Sequence, residues 1–140
     1  MSDPNRNLVE QIFQRARFVT SLGIKLVSFD WGWCETTLHV SEDLSQQHGF
    51  VHAGVVMTIA DHSCGGAAAS MVPADKDVIT VENKTSFLRP ASGSSLYCRA
   101  KVIRAGKSLV FAEAEVTMIR GDLRVLIAKS SSTLAVVPLR

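Results

Sequence analysis

The stretch from Gln46 to Met71 constrains the fold most, because its second half has the length of a helix and almost no polar face. From about Gly54 onward, valine, methionine, isoleucine and alanine are spread all round the helical wheel. A helix that is apolar on every side is typical of a buried element. Asp61 lies in its middle, where an ionised carboxylate is costly unless another group pairs with it or the protein uses it. We therefore predict a buried central helix and take Asp61 as a candidate site.

Two other interpretations of this segment can be weighed from its length and its glycines. A helix of about 17 residues is about 26 Å long, which is enough to cross a domain. It is too short, and too interrupted by polar residues, for a membrane span. Asp61 would otherwise be the cap of a second helix that begins at His62, with Gly65 and Gly66 as the break. Apolar neighbours on both sides favour a functional carboxylate over a cap.

The rest of the chain predicts one helix, one hairpin and a series of strands. Asp3-Pro4 is typical of a helix start, and apolar residues at helical spacing continue to about residue 20, before Gly23. A hairpin is expected between Ile24 and Val40. Strands follow over Val78–Arg89, Ser95–Arg104, Lys107–Ile119 and Leu123–Val137, and the Arg120-Gly121-Asp122 turn is compatible with type II′.

These elements predict an α+β fold in which an antiparallel sheet wraps around a central helix. An antiparallel sheet can bury one face on a helix and expose the other. A helix that is apolar all round needs more cover than one small sheet provides. The sheet must curl around it or a second subunit must help, so we expect a homo-oligomer. The 140 residues are expected to form a single domain over residues 1–140.

Composition limits the classes of function. Hydrophobic residues at 46% and charged residues at 20% are ordinary globular values. A formal net charge of +2, without a run of basic residues, gives no reason to expect a nucleic-acid partner. Three cysteines without a CxxC pair do not build a disulfide framework. The polar start MSDPNRN has no apolar core like that of a signal peptide, so we expect a cytoplasmic protein with no membrane partner.

Other candidate chemistries are weaker. His48 and His52 are four residues apart, but they flank Gly49 in a loop with no cysteine at zinc-finger spacing, so we expect no metal. Cys64, followed by two glycines, is expected to pack a helix rather than act as a nucleophile. Gly106-Lys107-Ser108 ends like a P-loop but lacks its first glycine and lies between predicted strands.

The segment Gln46-x-x-Gly49-x-Val51-His52-Ala53-Gly54, with Asp61 nine positions after His52, resembles the signature of the hotdog-fold acyl-CoA thioesterases. The group it is most similar to is the phenylacetate-degradation type. Leu22-Gly23-Ile24, Asn83, Phe87-Leu88-Arg89-Pro90-Ala91 and Gly106-Lys107-Ser108 also resemble that group. The similarity covers nearly the whole chain. It implies a hotdog fold, an acyl-CoA substrate and no cofactor.

The resemblance also implies a role for each matching position. The backbone N–H of Ala53, at the start of the helix, would point at the thioester oxygen. Asp61 would be the general base or the nucleophile. Gln46 would orient the carbonyl or the attacking water, and Thr80 would support that water. In such proteins the site lies at a dimer interface, so the loop and the carboxylate come from different chains.

Elementary electrostatics favours the same roles. Free N–H groups and the dipole at a helix start stabilise negative charge, as in an oxyanion. His52 is expected to hold the loop by hydrogen bonds beside Gly54, on the substrate-binding side, rather than to take the proton in the reaction. Ala53 replaces the usual glycine, which keeps the N–H but excludes positive backbone angles. Phe50 is expected to narrow the acyl pocket.

Two basic residues are candidates for contacts with coenzyme A phosphates. Arg89 stands beside Pro90 at a strand end, and Lys107 stands in a predicted hairpin turn. Two alternatives to a thioesterase remain, a non-enzymatic acyl-CoA-binding module and a hydratase or dehydratase of the same fold. Asp61 argues against the first. The second usually needs a histidine and an acid at the β-carbon, for which His52 is the only candidate. A dimer that pairs into a tetramer is left open.

Overall fold

The computed structural model describes residues 3–140, which fold into three helices and one six-stranded antiparallel sheet. The elements in chain order are α1 Arg6–Arg15, α2 Arg17–Leu22, β1 Ile24–Asp30, β2 Trp33–His39, a 3-10 turn Glu42–Leu44, α3 Ala53–Ala69, β3 Lys76–Phe87, β4 Ser95–Ala105, β5 Leu109–Arg120 and β6 Leu123–Pro138. The strand order is β1-β2-β4-β5-β6-β3. All six strands contact α3, so the sheet curves around it and the predicted α+β architecture is confirmed.

The N-terminal segment departs from the prediction in two ways. The predicted single helix is broken at Ala16, whose extended backbone (φ −77°, ψ 93°) separates α1 from α2. The N-cap of α1 is Asn5 and not Asp3: its side chain accepts a hydrogen bond from the Leu8 N–H at 3.2 Å and also donates to the Val72 carbonyl. Asn5 thus fixes the start of α1 to the segment after α3, a long-range contact with no local signal. Gly23 ends α2 with φ 90°, as predicted.

The central helix α3 is continuous from Ala53 to Ala69, with Asp61 inside it. The interpretation of Asp61 as the cap of a new helix at His62 is therefore wrong. Burial is nearly complete in the C-terminal half, where Cys64 is inaccessible and a Cβ atom at Gly66 would lie 3.0 Å or less from Cys34 and Phe13. In the N-terminal half, one face remains accessible.

The strand predictions are accurate to within two residues at every end from β3 to β6. Between β5 and β6 a two-residue turn has Gly121 at φ 57°, while Asp122 has no positive φ. That combination is the one a type II′ turn requires. The Gly106–Ser108 segment lies in the tight turn between the antiparallel strands β4 and β5, which excludes a P-loop. None of the helices in residues 3–140 combines the length and hydropathy needed to cross a membrane.

Strand β3 lies at one edge of the sheet and pairs only with β6 among the described residues. It is long, and its Ile79 and Val81 side chains are more than half exposed, at 53% and 61%. The register shifts between Thr80 and Glu82, so Val81 is an extra residue, a β-bulge. A bulge reverses the alternation of side chains along a strand. Thr80 and Asn83, an odd number of residues apart, consequently face the same side.

Candidate functional site

The loop before α3 is closed by backbone hydrogen bonds at both ends. The Gln46 N–H donates to the Phe50 carbonyl at 2.8 Å, and the His52 N–H donates to the Leu44 carbonyl at 2.8 Å. Gly49 takes φ 85°, a left-handed conformation that favours glycine. The Gln46 side-chain oxygen accepts from the N–H groups of His48 and Phe50. This fixes the amide of Gln46 and leaves its NH₂ as a donor toward a ligand.

The start of α3 presents a backbone donor. The Nδ1 atom of His52 accepts the Gly54 N–H at 2.8 Å, and the His52 carbonyl accepts the Val55 N–H at 3.0 Å. The Ala53 N–H has no acceptor within residues 3–140. It stands at the positive end of the helix dipole, where an anion is stabilised. Ala53 has no positive φ, so alanine is compatible with the backbone at this position, where the signature that the loop resembles has glycine.

A first depression, which we call the loop depression, has a volume of about 560 Å³ and collects most of the predicted binding residues. Its lining includes Gln46, Phe50, His52, Ala53, Val56, Phe87, Leu88, Arg89, Pro90 and Ile127. Arg89 is partly fixed, because its Nη1 donates to the Leu126 carbonyl at 2.7 Å. A guanidinium has five N–H donors, so others remain for a ligand.

A second depression, which we call the carboxylate depression, has a volume of about 400 Å³ and contains Asp61. Its lining is Phe18, Val19, Met57, Thr58, Asp61, His62, Thr80 and Asn83. The Thr80 hydroxyl donates to Asp61 Oδ1 at 2.9 Å, so the two predicted residues meet across α3 and β3. Oδ2 of Asp61 accepts no hydrogen bond from the described part of the chain. One carboxylate oxygen is therefore held and the other can receive a proton or attack.

The two depressions have no lining residue in common. Gln46 and Ala53 line the first, and Asp61 and Thr80 line the second. Along α3, the eight steps from Ala53 to Asp61 correspond to about 12 Å by the helix rise. One chain therefore presents a free backbone N–H group and a carboxylate at separate places.

Asn83 supports the floor of the carboxylate depression. Its amide donates to the Ser130 and Ser132 hydroxyls at 2.8 and 2.6 Å, and its oxygen accepts from Thr85 at 2.7 Å. Asn83 belongs to the residues that carry the sequence resemblance, but its hydrogen-bond network was not predicted. The signal available was the pair of serines at alternate positions of a strand, which places two hydroxyls on one face.

Comparison with known proteins identifies the family. A model of the thioesterase superfamily matches residues 48–124, more than half of the chain. The chain belongs to the thioesterase superfamily. It is a thioester hydrolase with the hotdog fold, as the sequence resemblance implied.

Individual relatives agree with this thioesterase assignment. A thioesterase family protein from Silicibacter pomeroyi is 34% identical, with a TM-score of 0.93, over 96% of this chain and 98% of that one. A 1,4-dihydroxy-2-naphthoyl-CoA hydrolase from Listeria monocytogenes is 28% identical over 83% of this chain and 92% of its own length. The PaaI protein of the E. coli phenylacetic acid degradation operon, at 19% identity and a TM-score of 0.83, covers 96% of this chain and 93% of that one and shows the fold alone.

His62, next to the Asp61 carboxylate of this thioesterase, connects α3 to α1. Its Nε2–H donates to the Ile12 carbonyl at 3.2 Å, and its ring stands edge-on to Phe13 with centroids 4.6 Å apart. Burial lowers the pKa of His62, opposed by the hydrogen bond to the Ile12 carbonyl and by the charge of Asp61. A neutral ring in contact with two residues of α1 holds that helix against α3.

The thioesterase has three buried cysteines, and none has the environment of a nucleophile. Burial raises the pKa of Cys64 and of Cys98 to about 12 and raises that of Cys34 as well. A nucleophilic cysteine needs a thiolate, which a raised pKa disfavours. The expectation that Cys64 packs the helix agrees with its complete burial. Within residues 3–140 no three His, Cys, Asp or Glu side chains are grouped as metal ligands.

Lys107 lies far from the other predicted binding residues of its own chain. Beside it in the β4–β5 turn, the Ser108 carbonyl accepts the Val136 N–H, while the Arg89 N–H donates to the Ile127 carbonyl. Val136 and Ile127 are nine residues apart on β6, or about 30 Å at the rise of a strand. One thioesterase chain cannot place Arg89 and Lys107 on the same phosphate group.

Proposed function

We propose that this protein is an acyl-CoA thioesterase whose active site is formed between two copies of the chain. The observation that supports it is the separation of the two depressions on α3. One offers the donors of Gln46 and Ala53 without a carboxylate, and the other offers Asp61 with Thr80. Hydrolysis of a thioester needs both, and a second copy related by a two-fold axis would supply the missing half twice.

The accessible surface around Asp61 fits such an assembly. Ile79 and Val81 are more than half exposed on the edge strand β3, the strand that also carries Thr80. A long apolar edge strand is a ready surface for pairing with another chain. We propose that a homodimer buries this surface. Sedimentation equilibrium or light scattering at micromolar concentration measures it, and the same data distinguish a dimer from a tetramer. A monomer would contradict the shared site.

The proposed chemistry follows from the two half-sites. The thioester carbonyl oxygen accepts the Ala53 N–H and the Gln46 amide, and these donors stabilise the negative charge that develops on it. Asp61 of the other copy takes a proton from water as the water attacks the carbonyl carbon. The tetrahedral intermediate then expels the coenzyme A sulfur, which receives that proton. Thr80 holds Asp61 Oδ1, so Oδ2 is the atom oriented for the proton.

Asp61 also has a nucleophilic route, in which Oδ2 itself attacks the carbonyl carbon and the coenzyme A thiolate leaves, taking up a proton from water. The resulting anhydride is then cleaved by a second water. The two routes differ in where the oxygen of water first appears. In a single turnover in water labelled with heavy oxygen, a base mechanism puts the label in the released acid. A nucleophilic mechanism in which water attacks the Asp61 carbonyl puts it in the protein.

The coenzyme A moiety is proposed to lie on the loop side. Arg89, at the rim of the loop depression, is the only lysine or arginine in that lining and is placed to contact a phosphate. Lys107 would reach the same ligand only from another copy of the chain. Phe50, 37% exposed, lies beside Arg89 and faces the loop depression in its own chain.

The test is acyl-CoA hydrolysis by wild type and Asp61→Asn over acyl groups of different size. We expect turnover by the wild type and a fall in kcat of about 10²–10⁴ in the variant, which is the usual worth of a positioned acid–base group. Asn has nearly the same shape, so the variant should fold and assemble normally. Asp122→Asn, a change of the same chemistry in the exposed β5–β6 turn, is the control and should retain activity. Retained turnover in Asp61→Asn would remove Asp61 as catalyst.

A further inference from the structure

We infer that the acyl group of the substrate binds against Phe18 and Met57 in the carboxylate depression, so that the enzyme selects an apolar acyl chain. This inference rests on the proposed function. Phe18 is 64% exposed and Met57 is 39% exposed, and both line the same depression as Asp61. Two large apolar side chains beside a carboxylate form a surface that gains stability when an apolar group covers it.

The charges of the two depressions decide which end of the substrate each receives. The loop depression contains Arg89, whereas the lining of the carboxylate depression contains no lysine or arginine and does contain Asp61. The anionic phosphates of coenzyme A are therefore disfavoured near Asp61 and favoured near Arg89. The two substituents of a thioester carbonyl point away from each other, so the acyl group extends into the carboxylate depression.

Apart from Asp61 Oδ2, which faces the thioester carbonyl in the proposed reaction, the polar side chains of the carboxylate depression already have partners inside the protein. The Thr58 hydroxyl donates to the Gly54 carbonyl at 2.7 Å, and His62 donates to the Ile12 carbonyl. The Asn83 amide is held by two serines, and the Thr80 hydroxyl donates to Asp61. A polar acyl group would lose its hydrogen bonds to water without replacement, which is costly, whereas an apolar one loses none.

The backbone explains why Phe18 stands at this place. The break at Ala16 ends α1, and α2 then runs only from Arg17 to Leu22 before Gly23 turns the chain with φ 90°. Val19 is 4% exposed and anchors α2 in the core, while its neighbour Phe18 points outward beside Asp61. If α1 continued through Ala16, there would be no separately oriented α2 to place Phe18 beside Asp61.

The experiment compares hexanoyl-CoA, succinyl-CoA and acetyl-CoA as substrates of the wild type and of Phe18→Ala. Succinyl has a chain of similar length with a terminal carboxylate, and acetyl is too short to cover Phe18. For the wild type we expect kcat/KM at least about tenfold higher with hexanoyl-CoA than with succinyl-CoA. In Phe18→Ala we expect hexanoyl-CoA to lose about tenfold in kcat/KM, from about 50 Å² of lost apolar contact, and acetyl-CoA to change by less than about twofold.

Matched variants separate substrate contact from damage to the fold. Phe18→Leu keeps most of the apolar surface and should lose less than about threefold with hexanoyl-CoA. Ile103→Ala removes a side chain of similar exposure, 53%, from the depression that contains Phe111 and not Asp61, and should leave all three substrates unchanged. Sedimentation should show the same mass for Phe18→Ala as for wild type.

Each outcome has a defined meaning. An equal loss for hexanoyl-CoA and acetyl-CoA in Phe18→Ala, a change of mass in that variant, or a wild-type preference for succinyl-CoA would overturn the inference while Asp61-dependent hydrolysis still stands. Absence of wild-type turnover on all three substrates, or full turnover in Asp61→Asn, would overturn the proposed function itself.

Discussion

The two halves of α3 differ in how the chain covers them. From Ser63 to Ala69, all residues except Gly65 are buried by the sheet and by α1. From Ala53 to His62, buried residues alternate with an accessible face that includes Met57 and Asp61. Both halves are mainly apolar in sequence, although the first contains Thr58, Asp61 and His62 and the second only Ser63 as polar residues. The C-terminal half is therefore a core element of one chain, whereas the N-terminal half leaves one face accessible, the face on which we propose that the reaction takes place.

Gly66→Ala should destabilise the protein most, because it overpacks the buried C-terminal half of α3. A Cβ atom there would lie 2.8 Å from Cys34 Sγ and 3.0 Å from Phe13 Cε2. Both neighbours are buried, at 0% and 6% exposure, so they have little room to move. We expect a loss of about 1–3 kcal/mol in the free energy of unfolding, the usual cost of overpacking. Urea unfolding at a fixed protein concentration measures it, and an unchanged midpoint would show that α1 yields to the added methyl.

Thr80→Val tests the role of the accessible N-terminal half of α3, because it removes the hydroxyl that holds Asp61 and keeps the side-chain shape. A hydrogen bond to a charged group is worth about 1.5–3 kcal/mol, so we expect kcat to fall by about 10–100-fold. Thr80→Ser keeps the hydroxyl and is the control, with a loss of less than about threefold. Since the change lies in the orientation of the base, KM should stay nearly constant. A fall in melting temperature as large as the fall of Gly66→Ala would instead assign Thr80 to the fold.

His62 stands at the boundary between the two halves, and its titration should affect stability rather than chemistry. Its pKa is lowered in the folded protein by burial, while the unfolded chain titrates near about 6.5. Between these two values the unfolded state binds a proton that the folded state does not, so stability falls as the pH is lowered through about 6.5. His62→Gln can still donate to the Ile12 carbonyl and has no such titration.

The check on His62 is the difference in melting temperature between wild type and His62→Gln at about pH 8 and about pH 5. We expect wild type to lose more on acidification than the variant does. Equal losses would mean that His62 is as accessible to protons in the folded state as in the unfolded one.

Much of this molecule could be predicted from local patterns, and the failures have a common cause. Alternation and turn residues placed the strands from β3 to β6, because period and turn chemistry are local properties of a sequence. The break at Ala16 has no glycine or proline beside it that would signal a helix end. The Asn5 cap was not predicted, because it depends on a contact with the segment after α3. The bulge at Val81 was missed for the same reason, since only pairing with β6 reveals an extra residue.

The sequence predicted which residues belong to the candidate site, but not where these residues lie relative to one another. The resemblance named Gln46, Ala53, Asp61 and Thr80, and the structure brings the last two together while it keeps Gln46 and Ala53 in another depression. Phe18 carried no signal, because an apolar residue on a short amphipathic segment predicts core packing and not exposure beside a carboxylate. Burial of α3 was overestimated, because its all-round apolar pattern does not distinguish the face that one chain covers from the face that it leaves accessible.

The smallest expected effect comes from Gly65→Ala, one residue before the crowded Gly66. A Cβ atom at Gly65 meets nothing within 4 Å in this chain, and Gly65 is one turn of helix from Asp61 on the accessible face. Alanine favours a helix over glycine by up to about 1 kcal/mol, so we expect a gain of that size or less in the free energy of unfolding. Thermal melting at one fixed protomer concentration measures it, because an assembly makes the melting temperature concentration-dependent. The same sample in sedimentation shows whether the assembly is intact. A loss of stability together with a smaller mass would place Gly65 against the second copy, and the accessible face of α3 would then extend into its C-terminal half.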